Sequence, residues 1–213
     1  KAGHNDGHHS HTDVATFILN IGGESLIPDP GRGLYSKDYF RQKRYDNVFN
    51  NSYAHNVPRI GGQLQAPGPE FGGRRQFHGT IVETGQRDGV KYAVIEFHRA
   101  YDLPALTLAR RTLELGPEGA VSLRDEFRFD GAPLAVEEAF VTWQPVETDG
   151  GQARIRGEHT TLALTILEPE GAHFTAESLE AACRENAIDG VLTRLAVALP
   201  DGATRFHLRL APV

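Results

Sequence analysis

The sequence has one cysteine, Cys183, no methionine, and no apolar run approaching the roughly 20 residues that a membrane-crossing helix needs. A single cysteine excludes an internal disulfide and leaves the redox compartment open. Basic residues are also few: 22 Lys and Arg stand against 28 Asp and Glu, a formal net charge of −6. A general nucleic-acid binder needs a basic footprint, so neither nucleic acid nor membrane is expected as a partner. The chain begins "KAGHND", without an initiator Met or a signal peptide. It is expected to be a piece of a longer protein, its compartment unassigned. What is present is an ordinary globular balance, 39% hydrophobic and 23% charged over 213 residues. That length suits one large all-β domain or two small ones.

Turn-forming residues, 23 Gly and 12 Pro, are spread throughout. Between them lie strand-length segments such as "GTIVET", "KYAVIEF", "LTLARRTLEL", "EAFVTWQP" and "LTRLAVAL", separated by "GQRDG", "GPEG", "FDGAP", "TDGGQ" and "PDGA". In "VSLRDEFRF", Leu123, Asp125, Phe127 and Phe129 alternate with Ser122, Arg124, Glu126 and Arg128, the pattern of a half-buried strand. Many short strands with turn-rich joints predict an all-β fold, a sandwich or barrel. We expect two packed antiparallel sheets in a single domain over residues 1–213. "TFILNI" reads as a buried strand that turns through "GGE" into "SLIPD", whereas "TAESLEAACRENA" is compatible with a short helix or a strand. Residues 31–56 are polar, aromatic and basic with no clean period, and a loop of that length is functional or disordered. Trp143 reads as core rather than sugar platform, and "GGRR" at 72–75 as a turn with solvated charge.

Four histidines fall between His4 and His11, in "HNDGHHSHTDVATFIL". Such a cluster fits a purification-tag remnant, a surface accident or the first ligands of a site. A tag, however, has no reason to run straight into a strand-like segment. His9 and His11 are one residue apart, so an extended backbone would project both to one side. Asp29 follows in "PDPG", where Pro and Gly force a turn, and His55 in "SYAHNVP". Imidazole, carboxylate and imidazole with an open fourth position make a plausible zinc site. Ten histidines are scattered along the chain, so spacing alone leaves solvated or structural roles open as well.

The ordered set "HNDGHHSHTDVATFIL", "SLIPDPGRGLY" and "SYAHNVP" resembles the C-terminal β-sandwich of the heparinase II/III-like polysaccharide lyases, specifically from about residue 4 to 60. Ala15 stands where the family usually has Gly, and Thr12 where it often has Asn or Pro. The resemblance implies that His9 takes part in proton transfer in a cleft. It implies that His11, Asp29 and His55 hold one structural zinc ion. His4 and His8 receive no role from it, and His8 is expected to be a solvated neighbour. It further implies a helical toroid domain preceding this one, which would supply a tyrosine acid/base and the group that neutralises the substrate carboxylate. The chain would then carry part of an active site that cleaves a uronic-acid-containing polysaccharide (heparin or heparan sulfate-like, or alginate-like) by β-elimination, and by itself would be inactive.

Two readings of the loop stand side by side. Arg32, Lys37, Arg41, Lys43 and Arg44 near Tyr35, Tyr39 and Tyr45 could form a basic, aromatic lip for an acidic sugar chain, with Tyr35, Arg41 and Arg44 as the substrate-binding candidates. They could equally be a solvated loop packed against the preceding domain. For the whole chain, the competing function is a non-catalytic, metal-stabilised carbohydrate-binding or structural sandwich. A cupin-like metal enzyme has a similar ligand set but also a Gly-rich motif that is absent here.

Overall fold

The computed structural model describes residues 1–5, 9–67 and 75–213, the side chains of Asp38 and Gln42 excepted. His8 and most of the "GGRR" turn therefore lie outside the described residues. The N-terminal third contributes four short strands, β1 (Gly3–His4), β2 (Leu19–Ile21), β3 (Glu24–Ile27) and β4 (Arg59–Ile60). Longer strands follow: β5 (His78–Arg87), β6 (Val90–Glu96), β7 (Leu106–Leu115), β8 (Val121–Phe129) and β9 (Val136–Thr142). The remainder is β10 (Val146–Asp149), β11 (Gln152–Arg156), β12 (Thr161–Glu168), β13 (Thr175–Ser178), helix α1 (Glu180–Glu185), β14 (Thr193–Ala198) and β15 (Arg205–Pro212). No described helix is long and apolar enough to cross a membrane.

The described strands form an antiparallel sandwich. A nine-stranded sheet runs β1-β5-β6-β7-β8-β15-β12-β11-β10, a four-stranded sheet runs β13-β14-β9-β4, and β2-β3 is a separate hairpin. Alternation decides which side faces inward. On β11, Ala153 and Ile155 are buried while Gln152, Arg154 and Arg156 are exposed; on β8, Val121, Leu123, Asp125 and Phe127 are buried. Ala153, Ile155, Val121, Leu123 and Phe127 meet Phe140 of β9 and Leu195 and Val197 of β14 in one apolar core between the sheets.

Strand β9 is buried on both faces. Val136 and Phe140 join the sandwich core. Val141 instead meets Phe49, Ala54, Leu179, Cys183 and Leu192 in a second cluster, against which Trp143 packs. Trp143, half-buried, also stacks on Phe49 with 6.5 Å between ring centroids, at the edge of that cluster. The outer face of β9 is thus roofed by the loop of residues 31–56 and by α1.

That loop is ordered by asparagines. It contains three 3-10 turns, Asp38–Phe40, Gln42–Asp46 and Ser52–Ala54. Asn50 Nδ2 donates to the Arg44 carbonyl and Asn51 Nδ2 to that of Tyr45, each at 3.0 Å, while Asn47 Nδ2 donates to Asn186 Oδ1 at 2.6 Å. Gly33 is needed where it is, because a Cβ would collide with the Asn47 side chain.

Two local expectations change. Only Leu19–Ile21 of "TFILNI" pairs as a strand; Thr16 is buried and Ile18 is 53% exposed, so the segment before it is not a ladder strand. "TAESLEAACRENA" contains both alternatives in sequence, β13 and then α1.

Candidate metal centre and adjoining aromatic cluster

His55 ends the Ser52–Ala54 turn, which is started by Asn51, whose side chain accepts from the Tyr53 amide. It is fully buried, and neither ring nitrogen has a hydrogen-bond partner at ordinary geometry among the described residues. A buried polar atom with no partner costs on the order of 1–3 kcal/mol; the Phe49 main chain acts on the His55 ring as a hydrogen-bond partner, which leaves one nitrogen in need of an explanation. The neighbours supply one. His11 and His55 rings lie 5.2 Å apart between centroids, and His55 Nδ1 is 3.8 Å from Asp29 Oδ2. One ligand atom from each of His11, Asp29 and His55 lies within 4.8 Å of the others.

The local sequence sets each donor. In "PDPG", the Gly31 amide donates to Asp29 Oδ1 at 2.8 Å, which fixes the carboxylate while leaving Oδ2 turned to His55. The His11 segment is held by the Thr12 amide, which donates to the Asn50 carbonyl at 3.0 Å, and by Arg44 Nη2, which donates to the Ser10 carbonyl at 2.9 Å. Burial is the main force that pushes His11 down to about 4, with His55 acting in the same direction and Asp13 and Asp29 opposing. Burial likewise holds His55 below the usual histidine range. Both rings are neutral near pH 7, which is the form that ligates metal. Two bonds of about 2 Å at a tetrahedral angle place donor atoms about 3.3 Å apart, so this cluster fits a zinc-class ion after small movement.

His9 faces elsewhere. Although one residue from His11, it is exposed and its ring lies 6.4 Å from that of Tyr35 and 6.3 Å, edge-on, from that of Phe40. Tyr35, Tyr39 and Phe40 pack together, with centroids 4.6–5.3 Å apart. Arg32 lies 4.1 Å over the Tyr35 ring, and Tyr35 is 47% exposed. Arg41 is also exposed.

Arg44 corrects an expectation. It is fully buried, lying over Tyr39 and Tyr45 with its guanidinium on the Ser10 carbonyl, so it has no face to offer a sugar. The rings expected to flank it at a lip enclose it instead.

Sequence reasoning also missed the buried charges behind the triad. Arg111 of β7 and Asp125 of β8 are register partners, and Arg111 contacts Glu138 of β9 as well. The one visible signal is Asp125, which shares a face with Leu123 and Phe127.

Comparison with known proteins follows the same lines. A family model described as "Heparinase II/III-like, C-terminal" matches residues 1–132. No curated protein sequence matches. Among solved structures, a crystal structure of Heparinase III is similar at 16% identity and a TM-score of 0.72, covering 95% of this chain and 30% of its own. A mutant heparan sulfate lyase HepC from Pedobacter heparinus matches at 14% identity and a TM-score of 0.74, covering 100% of this chain and 32% of its own. A methylated-lysine form of the Heparinase III BT4657 gene product gives 14%, 0.75, 100% and 32% for the same quantities. At these identities the likeness concerns the fold, and the chain spans about a third of those proteins.

Proposed function

Because the chain belongs to the heparinase II/III-like family through its C-terminal domain, we propose that it is the sandwich portion of a larger polysaccharide lyase cleaving a uronic-acid-containing chain by β-elimination. In that reaction the uronate C5 proton is removed, charge builds up on the carboxylate side, and the C4 oxygen leaves. The C5 proton is weakly acidic, so the base must be held in contact and the developing charge neutralised.

The observation that carries this reading is the division of two histidines one residue apart. His11 turns to His55, whereas His9 stands exposed against Tyr35 and Phe40. A module that kept a metal only for stability would have no use for an exposed imidazole framed by rings. An imidazole can accept or return a proton near neutral pH, so His9 is assigned to proton transfer at the sugar. Tyr35 offers a ring face to the sugar, and Arg41 a planar, bidentate donor for a carboxylate or sulfate. His11, Asp29 and His55 would hold one zinc ion, which when bound cross-links their three segments and adds positive charge beside the aromatic cluster. A tyrosine acid/base and a carboxylate-neutralising group would come from a preceding helical domain.

The test is the ultraviolet absorbance of unsaturated uronate released from heparan sulfate, heparin and alginate by protein that includes the preceding region. Product from at least one polymer is expected, with none from the 213-residue chain alone. Failure on a broad panel of uronate polymers, by folded and metal-loaded protein, overturns the proposal.

A further inference from the structure

The strongest unassigned feature is the charge network in the sandwich core. Arg111 is fully buried. Its Nε donates to Asp125 at 2.9 Å, and its Nη2 donates to Asp125 Oδ2 at 2.5 Å and Glu138 Oε2 at 3.0 Å. Its Nη1 donates to two main-chain carbonyls, Ala15 at 3.1 Å and Asn56 at 2.6 Å. A guanidinium has five N–H groups, and these contacts occupy all of them.

Asn56 continues the network. It too is fully buried; Nδ2 donates to the carbonyls of Phe17 and Pro28, both at 2.9 Å, and Oδ1 accepts from the Val141 amide at 2.8 Å. The carbonyls gripped here belong to the segments that carry the triad. Asn56 follows His55, Pro28 precedes Asp29, and Ala15 and Phe17 lie just beyond His11.

Holding two sheets together does not require this. Buried charges lose their hydration, and well-packed apolar residues of similar volume often stabilise a core as well or better. Glu138 shows the cost, since its Oε1 has no partner among the described residues. What an apolar core cannot do is grip four carbonyls at fixed positions. Ala15, held at φ 72°, shows that the backbone there is drawn into a left-handed conformation and kept in it.

We propose that Arg111 and Asn56 are positioning residues for the metal centre, presetting His11, Asp29 and His55 before an ion arrives. This rests on the reading that the triad holds a metal. Outer partners that orient ligands typically contribute 10–100-fold in metal affinity.

The test compares zinc and cobalt(II) binding to wild type, Arg111→Lys, Asn56→Ala and the core control Leu164→Ala, at a temperature where each is folded. Leu164 is fully buried on β12, outside both the triad and the network. Arg111→Lys and Asn56→Ala should weaken binding about 10–100-fold and alter the visible spectrum of bound cobalt. Leu164→Ala should lower the melting temperature but leave affinity and spectrum unchanged. Unchanged affinity in both network variants, or equal weakening in the control, overturns the inference. If the network variants do not fold, a structure of chelated wild type decides: a triad still gathered within 4.8 Å supports presetting, and a dispersed one overturns it. A wild type that binds neither ion overturns the metal reading itself, an outcome separate from the others.

Discussion

His55 Nδ1 stands 3.8 Å from Asp29 Oδ2, too far for a hydrogen bond, while the His11 ring lies 5.2 Å from the His55 ring between centroids. The fully buried His55 imidazole, the half-buried His11 imidazole and the partly exposed Asp29 carboxylate each bring one ligand atom within 4.8 Å of the others. A single cation would take one lone pair from each ring and one carboxylate oxygen.

Metal should therefore be a stabilising ligand. Binding to the folded state alone raises stability by about 2.7 kcal/mol at 100 times the Kd. Chelation should lower the melting temperature, and His11→Ala should melt near the chelated wild type and gain nothing from added zinc. Thermal scans with and without chelator check both, and a zinc-dependent rise in His11→Ala would contradict them.

Acid should destabilise the metal-free protein over a defined window. The unfolded chain protonates His11 near the ordinary 6.5, whereas burial in the folded state holds it at about 4. Between those values the unfolded state binds more protons, so stability rises with pH. The contribution of His11 is fully present above pH 6.5, is lost as pH falls toward 4, and falls no further below that. His55 acts in the same direction. Melting curves of chelated protein across this range should show it, and stability that increases on acidification below 6.5 would exclude it.

His9→Ala should separate activity from stability. An exposed side chain away from caps and core changes stability by no more than about 0.5 kcal/mol. Loss of a proton-transfer group costs about 100-fold or more in turnover. Activity and melting should both be followed in protein that includes the preceding region. A full-activity variant removes His9 from the chemistry.

Asp125→Ala should be among the most damaging single changes. It leaves Arg111 buried with one ion-pair partner, Glu138, whose carboxyl burial pushes well above its usual range. Breaking a buried pair costs about 3–5 kcal/mol. Denaturant unfolding measures this, and a loss below about 1 kcal/mol would mean that water or another group replaces the carboxylate.

These features were unequally legible in the sequence. Strand β8 announced itself because its inward face is set by local alternation, and its turn-bounded neighbours did the same. The triad was legible through resemblance: residues 11, 29 and 55 are brought together by contacts that spacing does not encode. "TFILNI" misled because its apolar residues suggest a paired strand, whereas the stretch before Leu19 is held by Arg111 of β7 and by Asn56 at the end of the loop. The loop looked structureless because its order depends on remote partners; Asn47 and Asn186 are 139 residues apart. Arg44 looked like lip because burial by Tyr39 and Tyr45 leaves no periodic trace. Ala15 sits at φ 72°, a conformation that favours glycine.

His11, Asp29 and His55 are proposed to hold one ion, and calorimetric titration of the chelated, dialysed 213-residue protein with zinc counts it. Wild type should bind about one equivalent, as expected of a three-ligand site with an open fourth position, and His55→Ala should bind none with measurable affinity. Absence of saturable binding in folded wild type, or equal binding by His55→Ala, would contradict that assignment.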